Sequence, residues 1–195
     1  MEENRSLKGS STPYSDGVFY AANNRVNPFL IENVLNLTPG VSVDLGCGMG
    51  RNSIFLQNFG WKTFLIEREI IALNFLKNNF KPNQIISSDL REVNFSKFFS
   101  KIDLVLCNYV LQHLSIESCY DLFEKILPLI SANGALFVSL FKRPNSITAI
   151  DLEVFLKKHS FICCNKKHWK RWDHDHGPLH FHEGTELFFK RKDVL

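Results

Sequence analysis

Apolar and polar residues change period repeatedly along the chain, and each change marks an element. Phe29, Leu30, Val34 and Leu37 recur at helical spacing, and Pro28 suits the first turn of a helix running to about Leu37. Thr38-Pro39-Gly40 stops it, and Val41 to Leu45 reads as a short strand ending in a cluster of glycines. A helix over 51–59, closed by Gly60, leads to a strand from Trp61 to Ile66 that ends at Glu67. A helix from about Arg68 to Asn79 stops before Pro82, and a short strand from Gln84 to Ser87 ends at Asp89. Residues 90–101 show no single period beyond a short helix around Phe95 to Phe99. Ile102 to Cys107 is a near-continuous apolar run, as expected of a strand covered on both faces. Residues 116–131 read as a helix that breaks near Pro128, Ala135 to Phe141 as a buried strand, and 147–158 as a helix. Ser160 to Asn165 and Glu186 to Arg191 are the last two strands.

Strands thus alternate with helices from residue 41 to about 158, which predicts a parallel sheet with helices on both faces. The last two strands lack the helical crossover that parallel neighbours need, so they are predicted antiparallel. Without repeats or low-complexity blocks, the chain divides into a flexible N-terminal arm or substrate lid, 1–24, and one domain, 25–195.

Composition narrows the class. An apolar fraction of 45% excludes wholesale disorder. No apolar run reaches the roughly 18 to 20 residues of a membrane helix. The polar stretch Met1 to Ser11 argues against a secretory signal. The charge balance, 23 Lys+Arg against 20 Asp+Glu, is too even to imply nucleic-acid binding. Five cysteines with no CxxC pair argue against a disulfide framework and for a reducing, cytoplasmic setting. Eighteen phenylalanines supply core but no function.

The candidate chemistry begins at Val43-Asp44-Leu45-Gly46-Cys47-Gly48-Met49-Gly50, where the first strand turns into a helix. Glycines there permit a tight turn and bring backbone N–H groups within reach of a ligand. Without a ligand the same residues make an ordinary strand-to-helix turn. The acid Glu67, at the end of the next strand, favours a ligand, because a carboxylate accepts hydrogen bonds from ribose hydroxyls. A dinucleotide fingerprint needs a small residue where Arg51 stands, and no P-loop sequence occurs. Asp44 would repel a pyrophosphate, so a cationic ligand suits the turn better.

In these residues the chain resembles the class I, seven-strand S-adenosylmethionine-dependent methyltransferases. The glycine segment matches their first motif almost letter for letter, and Arg51-Asn52-Ser53 is similar to the tellurite/thiopurine-resistance type of small-molecule methyltransferase. The resemblance extends over about residues 30–195. It implies a doubly wound, Rossmann-like seven-strand sheet, mostly parallel with an antiparallel last strand. It implies S-adenosylmethionine as cofactor and S-adenosylhomocysteine as product. Asp44, Gly46, Cys47 and Gly48 would back the methionine part, Glu67 would hold the ribose, Asp89 would meet the adenine edge, and Leu90 would pack the ring. Asn108 and Tyr109 would lie beside the reacting methyl, and Asn52 and Arg68 belong with the same cofactor-binding set. Alternatives stand beside these roles. Glu67 and Asp89 are also ordinary strand-end acids, Asn108 suits a helix cap, Tyr109 suits packing, and Arg51 suits a helix surface.

His174-Asp175-His176-Gly177-Pro178-Leu179-His180-Phe181-His182 gathers four of the seven histidines, with Trp169, Trp172, Asp173 and Glu183 nearby. Three readings stay open: a transition-metal site, a substrate pocket with an imidazole base, or a polar surface loop. Candidate catalytic residues are His113, His174 and His176. Candidate substrate contacts are Tyr14, Tyr20, His113, Trp172, His174, His176 and His180; Tyr14, Phe19, Tyr20, Asn23 and Asn24 would form the lid. Lys166-Lys167, Lys170-Arg171 and Lys190-Arg191-Lys192 suit solvated strand edges or phosphate contacts.

The expected reaction is transfer of a methyl group to a small-molecule acceptor by in-line displacement, by a monomer or homodimer without a membrane partner. Asn108-Tyr109-Val110 lacks the proline pair typical of enzymes that methylate base amino groups, which argues against base N-methylation though not against every RNA target. The alternatives are a non-catalytic cofactor- or metal-binding protein on the same fold, and an RNA or protein methyltransferase. A nicotinamide enzyme is disfavoured by Arg51.

Overall fold

Val41–Leu45 (β1), Lys62–Glu67 (β2), Ile85–Ser87 (β3), Ile102–Asn108 (β4) and Ile130–Phe141 (β5) form a parallel sheet, in which their β-branched and aromatic residues are covered from two sides. Phe161–Asp173 (β6) and His180–Arg191 (β7) complete it in the order β3-β2-β1-β4-β5-β7-β6. Only β7 runs against its neighbours, pairing antiparallel with both β5 and β6, as predicted for the end of the chain. A computed structural model describes residues 25–173 and 180–192.

Among the described residues five α-helices cover the sheet. Pro28–Val34 (α1), Arg51–Asn58 (α2) and Ile70–Leu76 (α3) lie on one face, where Phe29, Leu30 and Leu56 pack on Leu104, Leu106, Phe137 and Phe188, and Leu76 packs on Leu65. Ile116–Ile126 (α4) and Ala149–Lys158 (α5) cover the other, burying Phe123, Ile126, Leu152 and Leu156 against Val105, Val138 and Leu187. Each such buried side chain contributes about 1.5–3 kcal/mol, so the two layers fix the strand ends that build the site.

The structure departs from the sequence reading in several elements. The first helix ends at Val34, not Leu37, and the 116–131 helix ends at Ile126, where Leu127–Leu129, holding Pro128, turns as a 3-10 helix. The fifth strand starts at Ile130, with a register shift opposite β4 between Ile102 and Leu104. The largest difference lies in the final pair. It is a hairpin of 13 and 12 residues that runs beyond the sheet, paired in register from Phe161↔Arg191 to Asp173↔His180. Its outer half is mostly solvent-exposed, so no apolar period marks it as strand. Among the described residues no helix is long and apolar enough to cross a membrane.

Candidate active site

The glycine turn leaves β1 with Gly46, Gly48 and Gly50 all at left-handed φ, 61°, 57° and 73°. At Gly46 a Cβ would also stand 2.9 Å from Val110 Cγ2, so this position needs both the conformation and the space. Cys47 N–H donates to the Ile66 carbonyl at 3.1 Å, tying the turn to β2. Beneath it Asp44 is only 2% exposed, and Ser53 Oγ donates to its Oδ2 at 2.6 Å. Burial pushes the Asp44 carboxyl up from 3.8 to about 7 against that hydrogen bond, with Glu67 adding repulsion. The Cys47 thiol is likewise driven up, by burial first.

Glu67 ends β2 with its carboxylate turned onto backbone: Oε2 accepts from Gly48 N–H at 2.8 Å, and Oε1 from Arg68 N–H at 2.7 Å and Glu69 N–H at 3.0 Å. It thereby locks the glycine turn against the next strand. Asp89, after β3, is gripped by guanidinium groups. Arg68 and Arg91 each donate to Oδ2 at 2.7 Å, and Arg91 Nε donates to Oδ1 at 2.8 Å. Arg91 above all holds the Asp89 carboxyl well below the usual carboxylate range.

Between these strand ends lies a cavity of about 480 Å³, within the range of small-ligand sites. Gly46, Glu67, Arg68, Asp89, Leu90, Tyr109 and His113 line it. Hollows of about 780 and 650 Å³ lie at the opposite strand ends, around Gly40 and Asp103 and around Lys62 and Gln84. Open α/β sheets bind ligands at the carboxyl ends, which makes the smaller cavity the candidate site. His113 projects from the turn Leu111–His113, and burial, then Arg143 and Arg68, lowers its pKa, disfavouring the charged imidazolium.

Other candidates lie elsewhere. Asn52 and Asn108 join a buried polar network centred on Asn27, which the sequence reading missed. The Asn27 N–H donates to Asn52 Oδ1 at 3.2 Å. Its Oδ1 caps α1, accepting from Phe29 N–H at 2.9 Å and Leu30 N–H at 3.3 Å. Its Nδ2 donates to Glu186 Oε1 at 2.6 Å, with Asn108 Oδ1 at 3.3 Å and Ser139 Oγ at 3.4 Å. Glu186, also missed, receives the Tyr109 hydroxyl at 3.4 Å. Asn followed by Pro at a helix start signals a cap, and an acid facing inward beside Leu187 and Phe188 signals a buried carboxylate.

Tyr109 has a left-handed φ of 59°. Its ring stacks on Phe141 at 4.5 Å, and Trp169 meets it edge-on at 6.1 Å. Gly184 makes room, because a Cβ there would overlap the Trp169 ring. Burial, then the charge of Glu186, raises the Tyr109 pKa. Trp172, 66% exposed, pairs with Phe181 on the opposite face of the hairpin from Trp169. Tyr14, Tyr20, His174 and His176 lie outside the described residues, and His180 is placed by its backbone opposite Asp173. The metal reading of the histidine run rests on those residues; among the described residues no group of three or more potential metal ligands comes together.

The family described as tellurite resistance protein TehB matches residues 20–176. The chain belongs to the TehB family. It is thus an S-adenosylmethionine-dependent methyltransferase of the tellurite-resistance type, with S-adenosylmethionine as cofactor. Among solved structures it is similar to TehB from Haemophilus influenzae, with a TM-score of 0.71 at 17% identity over 91% of this chain and 67% of that one. It is similar to magnesium protoporphyrin IX methyltransferase from Synechocystis PCC 6803, solved with bound S-adenosylmethionine: TM-score 0.67, 17% identity, 97% and 100% covered. A methyltransferase from Archaeoglobus fulgidus gives 0.67 at 12% identity over 90% and 94%. These likenesses carry the fold that the TehB-type motif implied. Among curated proteins none matches the chain.

Proposed function

We propose that this TehB-family chain transfers the methyl group of S-adenosylmethionine to a small-molecule acceptor at the carboxyl-end cavity. The observation that carries the reading is one cavity wall that joins a left-handed glycine turn, a strand-end acid and an apolar side chain: Gly46, Glu67 and Leu90. A turn with no room for a Cβ suits the close approach of a ligand to backbone, and Leu90 offers a flat base an apolar surface. When bound, the cofactor supplies an activated methyl on a sulfonium, so the hard chemistry is its own.

The chain's part is to bind, orient and exclude water. Glu67 would hold the ribose by exchanging one of its backbone hydrogen bonds. Asp89 would meet the base edge on release of one guanidinium. Asp44, with a pKa of about 7, becomes ionised in favour of a positive ligand above it. His113, at the cavity wall with its charged form disfavoured by burial, would be positioned to take a proton. All five cysteines are free, which suits a reducing, cytoplasmic setting.

The test is a screen of acceptors with methyl-labelled cofactor and the full chain. Label in a small-molecule product, at a rate cut by Glu67→Ala, is the expected result. Label found only in added RNA or protein would contradict the small-molecule reading.

A further inference from the structure

Tyr109, Val110, His113 and Leu114 line one wall of the carboxyl-end cavity. That wall is a tight turn. Tyr109 takes its left-handed φ as the chain leaves β4, Leu111–His113 coils as a 3-10 helix, and His113 N–H donates to the Val110 carbonyl at 2.9 Å. Gln112 reaches back across the turn. Its Nε2 donates to the Tyr109 carbonyl at 2.6 Å and lies 3.4 Å from His113 Nε2. Its Oε1 is sealed from solvent and has no hydrogen-bond partner among the described residues.

The amide fits one way round. Turned over, it would press Oε1 against the Tyr109 carbonyl oxygen, two acceptors at hydrogen-bond distance. The –NH2 end therefore faces His113. An amide nitrogen only donates, so His113 Nε2 accepts, and the neutral imidazole carries its hydrogen on Nδ1. A proton arriving at Nε2 has to displace the Gln112 N–H. The amide oxygen that could receive it points into sealed space, and bringing it round would strip the Tyr109 carbonyl of its donor. The charged form of His113 is thus opposed by its neighbour in the chain, besides burial, Arg143 after β5 and Arg68 after β2. Glu67, Glu69, Asp89 and Arg91 are the other charged groups on the cavity.

We propose that Gln112 is a positioning residue for the transfer: it holds the His113 ring as the Nδ1–H tautomer and sets how readily Nε2 takes a proton at the cavity wall. The proposal rests on the methyl-transfer reading and deepens the part given there to His113. A proton shed by the methyl acceptor goes to His113 Nε2, and Gln112 gives up its contact with that atom. Gln112 acts through His113 and not on the ligand. Because its N–H stabilises the uncharged ring, removing it makes His113 a stronger base.

The full chain, carrying nitrogen-15-labelled histidine, is titrated by NMR without turnover, and His113→Asn identifies the His113 signals. The expected result is an Nδ1–H tautomer at His113 in the parent. In Gln112→Met, which keeps the length of the side chain and removes the donor, the His113 midpoint should rise by about 0.5 pH units. Gln112→Glu, which sets a carboxylate beside Nε2, should raise it further. The acid limb of kcat/KM for methyl transfer should move up in pH in the same order, while calorimetric affinity for S-adenosylmethionine holds. An Nε2–H tautomer in the parent would overturn the proposal without any variant having to fold. So would a His113 midpoint that Gln112→Met leaves in place, or an acid limb that stays put while the midpoint moves. Failure of the parent to bind S-adenosylmethionine would instead overturn the underlying reading, and calorimetry sees that separately.

Discussion

The two sides of the carboxyl-end rim are built by different means. On the β2–β3 side, acids are satisfied by close neighbours: Glu67 by the N–H groups of Gly48, Arg68 and Glu69, and Asp89 by Arg68 and Arg91. On the β4–β5–β7 side, Glu186 is satisfied across 159 residues by Asn27 and across 77 by Tyr109. The first side is a set of local motifs at successive strand ends. The second exists only once the whole sheet has closed. Local satisfaction leaves side chains near the surface that can exchange partners with a ligand, whereas the long-range network seals one carboxylate into the fold.

The largest expected effect comes from the acid beneath the glycine turn. Asp44 keeps its proton in the folded chain up to about pH 7 but loses it in the unfolded chain near 3.8. Between those values the folded state binds more protons, so stability falls as pH rises. The loss is complete above pH 7 and reaches up to about 4 kcal/mol. Asp44→Asn cannot ionise and should remove that slope. Urea unfolding should give variant and parent equal stability near pH 4 and a variant advantage growing toward pH 8; parallel curves would contradict the burial argument.

Asn27→Ala follows. It removes the α1 cap and the donor to a buried carboxylate, for a combined loss of about 3 kcal/mol, or roughly 6–12 °C in melting temperature. A loss below about 1 kcal/mol would mean the network contributes no more than a surface cap. Gly46→Ala comes third. Left-handed φ costs about 1–2 kcal/mol, and the contact with Val110 adds strain. Calorimetry should show weakened S-adenosylmethionine binding out of proportion to the stability lost. Arg68→Ala should change stability least, by about 0.5 kcal/mol or less, because its pair with Asp89 is surface-exposed on the arginine side. A larger drop in thermal melting would show that the local side is not as exchangeable as its geometry implies.

The same contrast explains what was legible in the sequence. β1 to β4 and the glycine turn were readable because apolar runs and strand-end acids are local signals. The Glu67 and Asp89 strand ends fell out of that reading, and both line the cavity. The hairpin was not readable in full: Lys166, Lys167, His168, Lys170 and Arg171 are exposed, so β6 shows no alternation past Asn165. Most of the histidine run, 174–179, lies outside the described residues, between the last residue of β6 and the first of β7 in the sequence. Pro28 gave away the start of α1, but nothing in the sequence near Asn27 says that its amide reaches Glu186. Nor did Asn52 and Asn108 announce that they turn into the interior.

Isothermal calorimetry with S-adenosylmethionine, S-adenosylhomocysteine and NAD tests the account most directly. Saturable binding of both sulfur nucleosides, weakened about tenfold or more by Glu67→Ala, is the predicted result. Heat from NAD, with none from either sulfur nucleoside, would contradict it.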